Sequence, residues 1–107
     1  MIVIIPHGKT QQEAIVILDS AVENLFLMGV GEQVRIVEPK KEWADSIMSF
    51  SLTGKMGFIA VPFSGTIAVD ETHVTADCAV PPMVTNFFGE EKVMAGIQSK
   101  LREILGG

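Results

Sequence analysis

The apolar positions begin as an unbroken run, Ile2 to Ile5, closed by Pro6 and Gly8. A short continuous run of this kind predicts a strand covered on both faces. The spacing then turns helical. Thr10 followed three residues later by Glu13 is a capping-box signature, in which each side chain satisfies the other residue's backbone N–H. Ala14, Ile15, Leu18, Ala21, Val22, Leu25 and Met28 fall on one broad face, and Gly29 and Gly31 stop the pattern, so a helix is predicted over 10–28. Val16 and Leu27 lie on the opposite face. They are either scattered exposed apolar residues or one side of a self-association surface.

Beyond residue 33 the period is two. "QVRIVE" reads as a strand, and "KKEWADS" as a charged turn. "SIMSFSL" alternates Met48, Phe50 and Leu52 against serines, and "TGK" then suggests a hairpin turn into "MGFIAV". Pro62 cannot donate to a ladder, which makes "PFSG" a bulge, a break or an edge position before "TIAVD" resumes the strand pattern. "HVTADCAV" alternates Val74, Ala76, Cys78 and Val80 against His73, Thr75 and Asp77. Short strands joined by short links predict an antiparallel meander. "PPM" closes it, "VTNFFG" makes a short turn of helix, and "EEKVMAGIQSKLREIL" is a second amphipathic helix with acids in its first turn.

The order is β-α-β-β-β-β-β-α. Two helices with one apolar face each require a sheet face to cover, so the predicted fold is a single two-layer α+β domain over residues 1–107. A curved antiparallel sheet of five to six strands packs on the two helices and wraps the terminal one. A chain of 107 residues that is 48% hydrophobic has ample material for one core.

Composition narrows the function classes. The net charge of −5, with Lys40 and Lys41 the only adjacent bases, argues against a nucleic-acid backbone as partner. The apolar opening is far shorter than the roughly 20 residues of a membrane span and lacks the basic start of a signal peptide. With a single cysteine, Cys78, no internal disulfide forms, and a cytoplasmic protein is expected.

Candidate chemistry is sparse. His7 sits between the first strand and the helix, beside Gly8 and Lys9, where a general base or ligand is conceivable. The sequence offers nothing to orient it, and His73 falls on the solvent-facing parity of its strand. His7 is therefore read as a structural or surface corner residue, replaceable by asparagine with little loss of folding. Cys78 has inward parity, that of an inert thiol rather than a nucleophile. No metal-ligand spacing and no nucleophile elbow occurs. "HGKT" looks like the tail of a phosphate-binding loop, but Ile4 stands where its first glycine belongs. No catalytic residue and no cofactor is assigned. The remaining candidates for ligand or interface contact are the aromatics. Trp43 either folds over the core edge or anchors a partner, Phe63 is unassigned, and Phe87 and Phe88 either plug the helix packing or wall an apolar pocket.

Four stretches, "PHGKTQQEA", "EWADSIMSF", "GFIAVPFSGTIAVDETHV" and "AGIQSKLREIL", together resemble the polyhydroxyalkanoic acid system proteins, a family of small bacterial proteins also described as the polyhydroxyalkanoate granule-region family. The resemblance runs from Ile4 to Leu105. It implies a link to storage-polyester metabolism, with a polyester granule surface or a granule protein as partner, and carries no catalytic residues. A polyester synthase or depolymerase would be a much longer hydrolase-like chain, and a phasin coat largely helical, so a small accessory protein acting by binding is expected. Self-association through a sheet edge or through the Val16–Leu27 side is part of that expectation. The alternative is a carrier or enzyme with a helix-grip-like apolar pocket between the sheet and the C-terminal helix. Against it, sheet and helices of this size are expected to fill their own interior.

Overall fold

A computed structural model describes residues 1–28 and 35–106, with the side chains of residues 25–28, 87 and 88 outside the description. The described chain folds as a five-stranded antiparallel sheet and three helices. In chain order these are β1 (Ile2–Pro6), α1 (Gln11–Met28), β2 (Arg35–Ala44), β3 (Ile47–Met56), β4 (Ile59–Val69), β5 (His73–Ala79), α2 (Pro82–Phe88) and α3 (Glu90–Gly106). The spatial order is β1-β5-β4-β3-β2, so strands two to five form a meander and the N-terminal strand closes against β5.

The predicted capping box forms. The Thr10 hydroxyl accepts the Glu13 N–H at 3.1 Å, and the Thr10 N–H donates to Glu13 Oε1 at 3.3 Å. The Thr10 hydroxyl also donates to Glu13 Oε1 at 2.9 Å, and that bond, followed by the one from the Thr10 N–H, holds the Glu13 carboxyl below its ordinary range. The alternation also holds, and it extends to β1, where Ile2 and Ile4 are exposed, so this edge strand is covered on one face rather than on both. Inward-facing residues meet in rows across the sheet: Ile5 pairs with Val74, which pairs with Val69. Next to that row run Val3, Ala76, Ile67, Met48 and Trp43. Leu18 and Val22 of α1 and Leu101 and Leu105 of α3 cover these rows, and together they make the core.

Several sequence expectations shift. The sheet has five strands, the lower end of the expected five to six, because "IAV", "PFSG" and "TIAV" form one continuous β4. Pro62 is tolerated there because β5 reaches only as far as Ser64, which leaves one side of β4 open at Pro62. "TGK" is not the turn. Gly54 stays extended and buried opposite Val61, and the reversal falls at Gly57–Phe58 between the paired Met56 and Ile59. Gly57 has φ +62°, the conformation a two-residue hairpin loop demands at its first position. "KKEWADS" is mostly strand, and only Asp45 and Ser46 turn the chain. The predicted "VTNFFG" turn is the helix α2, which makes three helices rather than two. Of the "QVRIVE" strand, Gln33 and Val34 lie outside the described residues.

Edge strand β2 carries a bulge in which Glu38 and Pro39 together oppose Leu52, with Glu38 at φ +53°. A bulge and a proline on an edge discourage pairing with another strand.

Candidate functional site

The charged and polar candidates are drawn into structural roles. His7 is buried, with 5% of its surface exposed. Its Nδ1 accepts the Lys9 N–H at 3.0 Å, so Nε2 carries the proton donated to the Asp70 carbonyl at 2.9 Å. The His7 N–H donates to the Thr72 carbonyl at 3.0 Å, and the Gln11 amide donates to the Val69 carbonyl at 2.8 Å. The start of α1 is thereby tied to the β4–β5 turn. Asp70 organises that turn from within: its carboxylate accepts the His73 and Thr72 N–H groups, which hold its pKa below the ordinary value. His7 is a corner residue, as the sequence suggests. Burial with both ring nitrogens engaged, however, weighs against the expectation that asparagine would replace it with little loss.

Trp43 is half-buried against the core, and its indole N–H donates to Asp19 Oδ1 at 2.8 Å. Lys41, on the same face of β2, reaches Asp19 and Glu23 of α1. Hydrogen bonds from Lys41 and then Trp43 hold the Asp19 carboxyl below its ordinary value. Burial alone would push the Lys41 ammonium down, but its bonds to Asp19 and Glu23 prevail and raise it. This cluster clips α1 to the sheet edge.

Val16 is exposed on α1, whereas the side chains of Leu27, Phe87 and Phe88 lie outside the described residues. Among the described residues no three His, Cys, Asp or Glu side chains gather into a group able to hold a metal ion. No described helix is long and apolar enough to cross a membrane.

The feature with the shape of a binding site is a hollow of about 400 Å³ between the sheet and the N-terminal half of α3. Phe50, Leu52 and Gly54 of β3, Phe63 of β4 and Cys78 of β5 form its floor, and Val93 and Ile97 of α3 its wall. The rows explain its position. Beyond the core row the sheet continues inward with Cys78, Gly65 and Phe50, then Phe63 and Leu52, then Val61, Gly54 and Ile36. Two of these inward positions are glycines. Gly65 can take nothing larger without a backbone shift: a Cβ there would lie 2.4 Å from the Asp77 carbonyl oxygen. Leu101 and Leu105 fill the core end of the interior, whereas Val93 and Ile97 are only half-buried. Among the described residues the interior is therefore filled at the Leu101–Leu105 end of α3 and open beside Val93 and Ile97.

Cys78 is the ionisable side chain on this lining. Burial pushes its thiol up, the N-terminal ammonium pulls it down less, and Asp77 adds to the rise. A thiol held in its protonated form is a poor nucleophile. The hollow therefore offers apolar contact and no acid–base pair.

Sequence reasoning nominated Phe63 and the space beside residues 93–105. Ile36, Phe50, Leu52 and Gly54 were not among the sequence candidates, and their one signal is a glycine at an inward-facing strand position. An adjoining open groove of about 430 Å³ shares Leu52, Phe63, Ser64 and Val80 with the hollow and adds Glu38, Lys40, Ser51 and Pro62 among others, mixing polar and apolar groups without converging chemistry. No protein-family model, curated protein or solved structure matches the chain.

Proposed function

We propose that this protein is a non-enzymatic binding module that holds an apolar chain in the hollow between its sheet and α3. The observation that carries the reading is an apolar hollow of about 400 Å³, within the roughly 300–1,000 Å³ range of small-molecule sites. Its floor is preformed by strand register rather than by loops, which lowers the ordering cost of binding. The lining presents no nucleophile–base pair, so retention rather than turnover is the task it suits.

The resemblance to granule-region proteins suggests the ligand class. Hydroxyacyl chains are mostly methylene and methyl surface with intermittent ester or hydroxyl groups, and each buried CH₂ is worth about 0.8 kcal/mol. Under this reading the protein serves storage-polyester metabolism as an accessory that sequesters or presents such chains.

Titration with parinaric acid, a fluorescent fatty acid, tests the proposal. Saturable one-to-one enhancement that is abolished by Ile97→Trp, with the circular dichroism spectrum unchanged, is the expected result. Emission that rises without saturation, or is indifferent to Ile97→Trp, would remove the hollow as the site.

A further inference from the structure

The inward-facing floor does not end at the hollow. Beyond the Gly54–Val61 pair it runs on to Met56 and Ile59, which pair with each other at the end of the β3–β4 hairpin. β5 stops at the Ser64–Ala79 pair, so residues 59–63 of β4 extend past it. At the tip Met56 is 41% exposed, Ile59 51% and Phe58 fully exposed. Three large apolar side chains at a two-residue turn are costly to leave in water.

Their electrostatic setting is specific. Arg35 and Lys55 sit directly opposite each other across β2 and β3, one position from the tip pair. Like charges facing each other across strands destabilise a sheet, and among the described residues neither has a carboxylate within salt-bridge distance. The chain as a whole is acidic, at −5, so this pair concentrates positive charge against the overall sign.

We infer that the β3–β4 hairpin tip docks the protein onto an anionic phospholipid surface, with Phe58, Met56 and Ile59 entering the acyl boundary and Arg35 and Lys55 contacting phosphate headgroups. An apolar insertion flanked by cations is what the headgroup–acyl boundary of an anionic bilayer complements. A tip-to-tip contact between two copies would instead bring four cations together, which argues for lipid over a second protomer. The docking rests on residues that do not line the core of the hollow. Its failure would leave the apolar-chain reading standing, and the converse also holds.

Co-sedimentation of the full chain with vesicles tests it. The protein is expected to pellet with phosphatidylcholine vesicles containing phosphatidylglycerol, and much less with phosphatidylcholine alone. Phe58→Ser should weaken partitioning about tenfold or more. Arg35→Glu with Lys55→Glu should weaken it further, by at least about fivefold per cation. Because Phe58 is fully exposed, its variant keeps the fold, and parinaric acid binding in the hollow provides an independent check. Absence of sedimentation with anionic vesicles, equal binding to both vesicle types, or partitioning unchanged by Phe58→Ser would each overturn the inference. So would a concentration-dependent dimer in sedimentation velocity that Phe58→Ser dissolves.

Discussion

His7 Nε2 lies 2.9 Å from the carbonyl oxygen of Asp70, joining the first corner of the chain to a turn 63 residues away. The same ring accepts the Lys9 N–H at 3.0 Å. A single side chain thereby fixes the local path from β1 into α1 and the position of the β4–β5 turn.

Removing it leaves the half-buried Lys9 N–H and the Asp70 carbonyl without their partner. His7→Ala should cost about 1–3 kcal/mol in stability, read as a lower urea midpoint. His7→Asn should recover only part of the loss, since the shorter side chain cannot span Lys9 and Asp70 together. Wild-type stability in His7→Asn would show that the corner is held by the backbone bonds alone.

Gly65 is set by backbone proximity. A Cβ would stand 2.4 Å from the Asp77 carbonyl oxygen and 3.0 Å from the Cα of Cys78. Because both are backbone atoms of β5, Gly65→Ala has to push strands apart, at about 1–3 kcal/mol, the usual range for overpacking. A depressed melting temperature checks this. An alanine variant that melts like wild type would mean β4 and β5 separate there at no cost.

The Asp19 cluster gives an acid dependence with a definite sign. Its carboxyl is held below 3.8 in the folded protein by Lys41 and Trp43, so the unfolded chain takes up the proton first as pH falls. The stabilisation is complete above the ordinary carboxylate value and is lost progressively below it. Glu13 and Asp70, also lowered, act in the same direction. Asp19→Asn should flatten the acid limb of a pH–stability curve and red-shift Trp43 emission. An unchanged limb would assign the effect to the other two acids.

Cys78 reports on the hollow. Burial raises its thiol above the ordinary value of 9.0. Alkylation by iodoacetamide at pH 8 should therefore be slower than that of free cysteine and should accelerate as pH passes 9. Parinaric acid should slow it further. Unprotected, fast labelling would place the thiol outside the ligand's reach.

Local sequence determined the elements wherever local physics was sufficient. Thr10 and Glu13 cap α1 because their bonds close within one turn, and the two-residue period of Met48, Phe50, Val74 and Ala76 assigns each to the inner face in any register. Locally ambiguous signals were misread. Gly54 looked like a turn residue, but its place opposite Val61 keeps it extended, and Gly57 alone adopts the positive φ that reverses the chain. Pro62 reads locally as a bulge, a break or an edge position, and the short reach of β5 selects the edge reading, since no partner there needs an N–H. Trp43 and Asp19 lie 24 residues apart, and their bond exists only because α1 crosses β2. The hollow belongs wholly to tertiary structure: alternation made its floor apolar, but only the seating of α3, with Leu101 and Leu105 in the core and Val93 and Ile97 standing off, decided which inward-facing residues were covered and which were left to face a cavity.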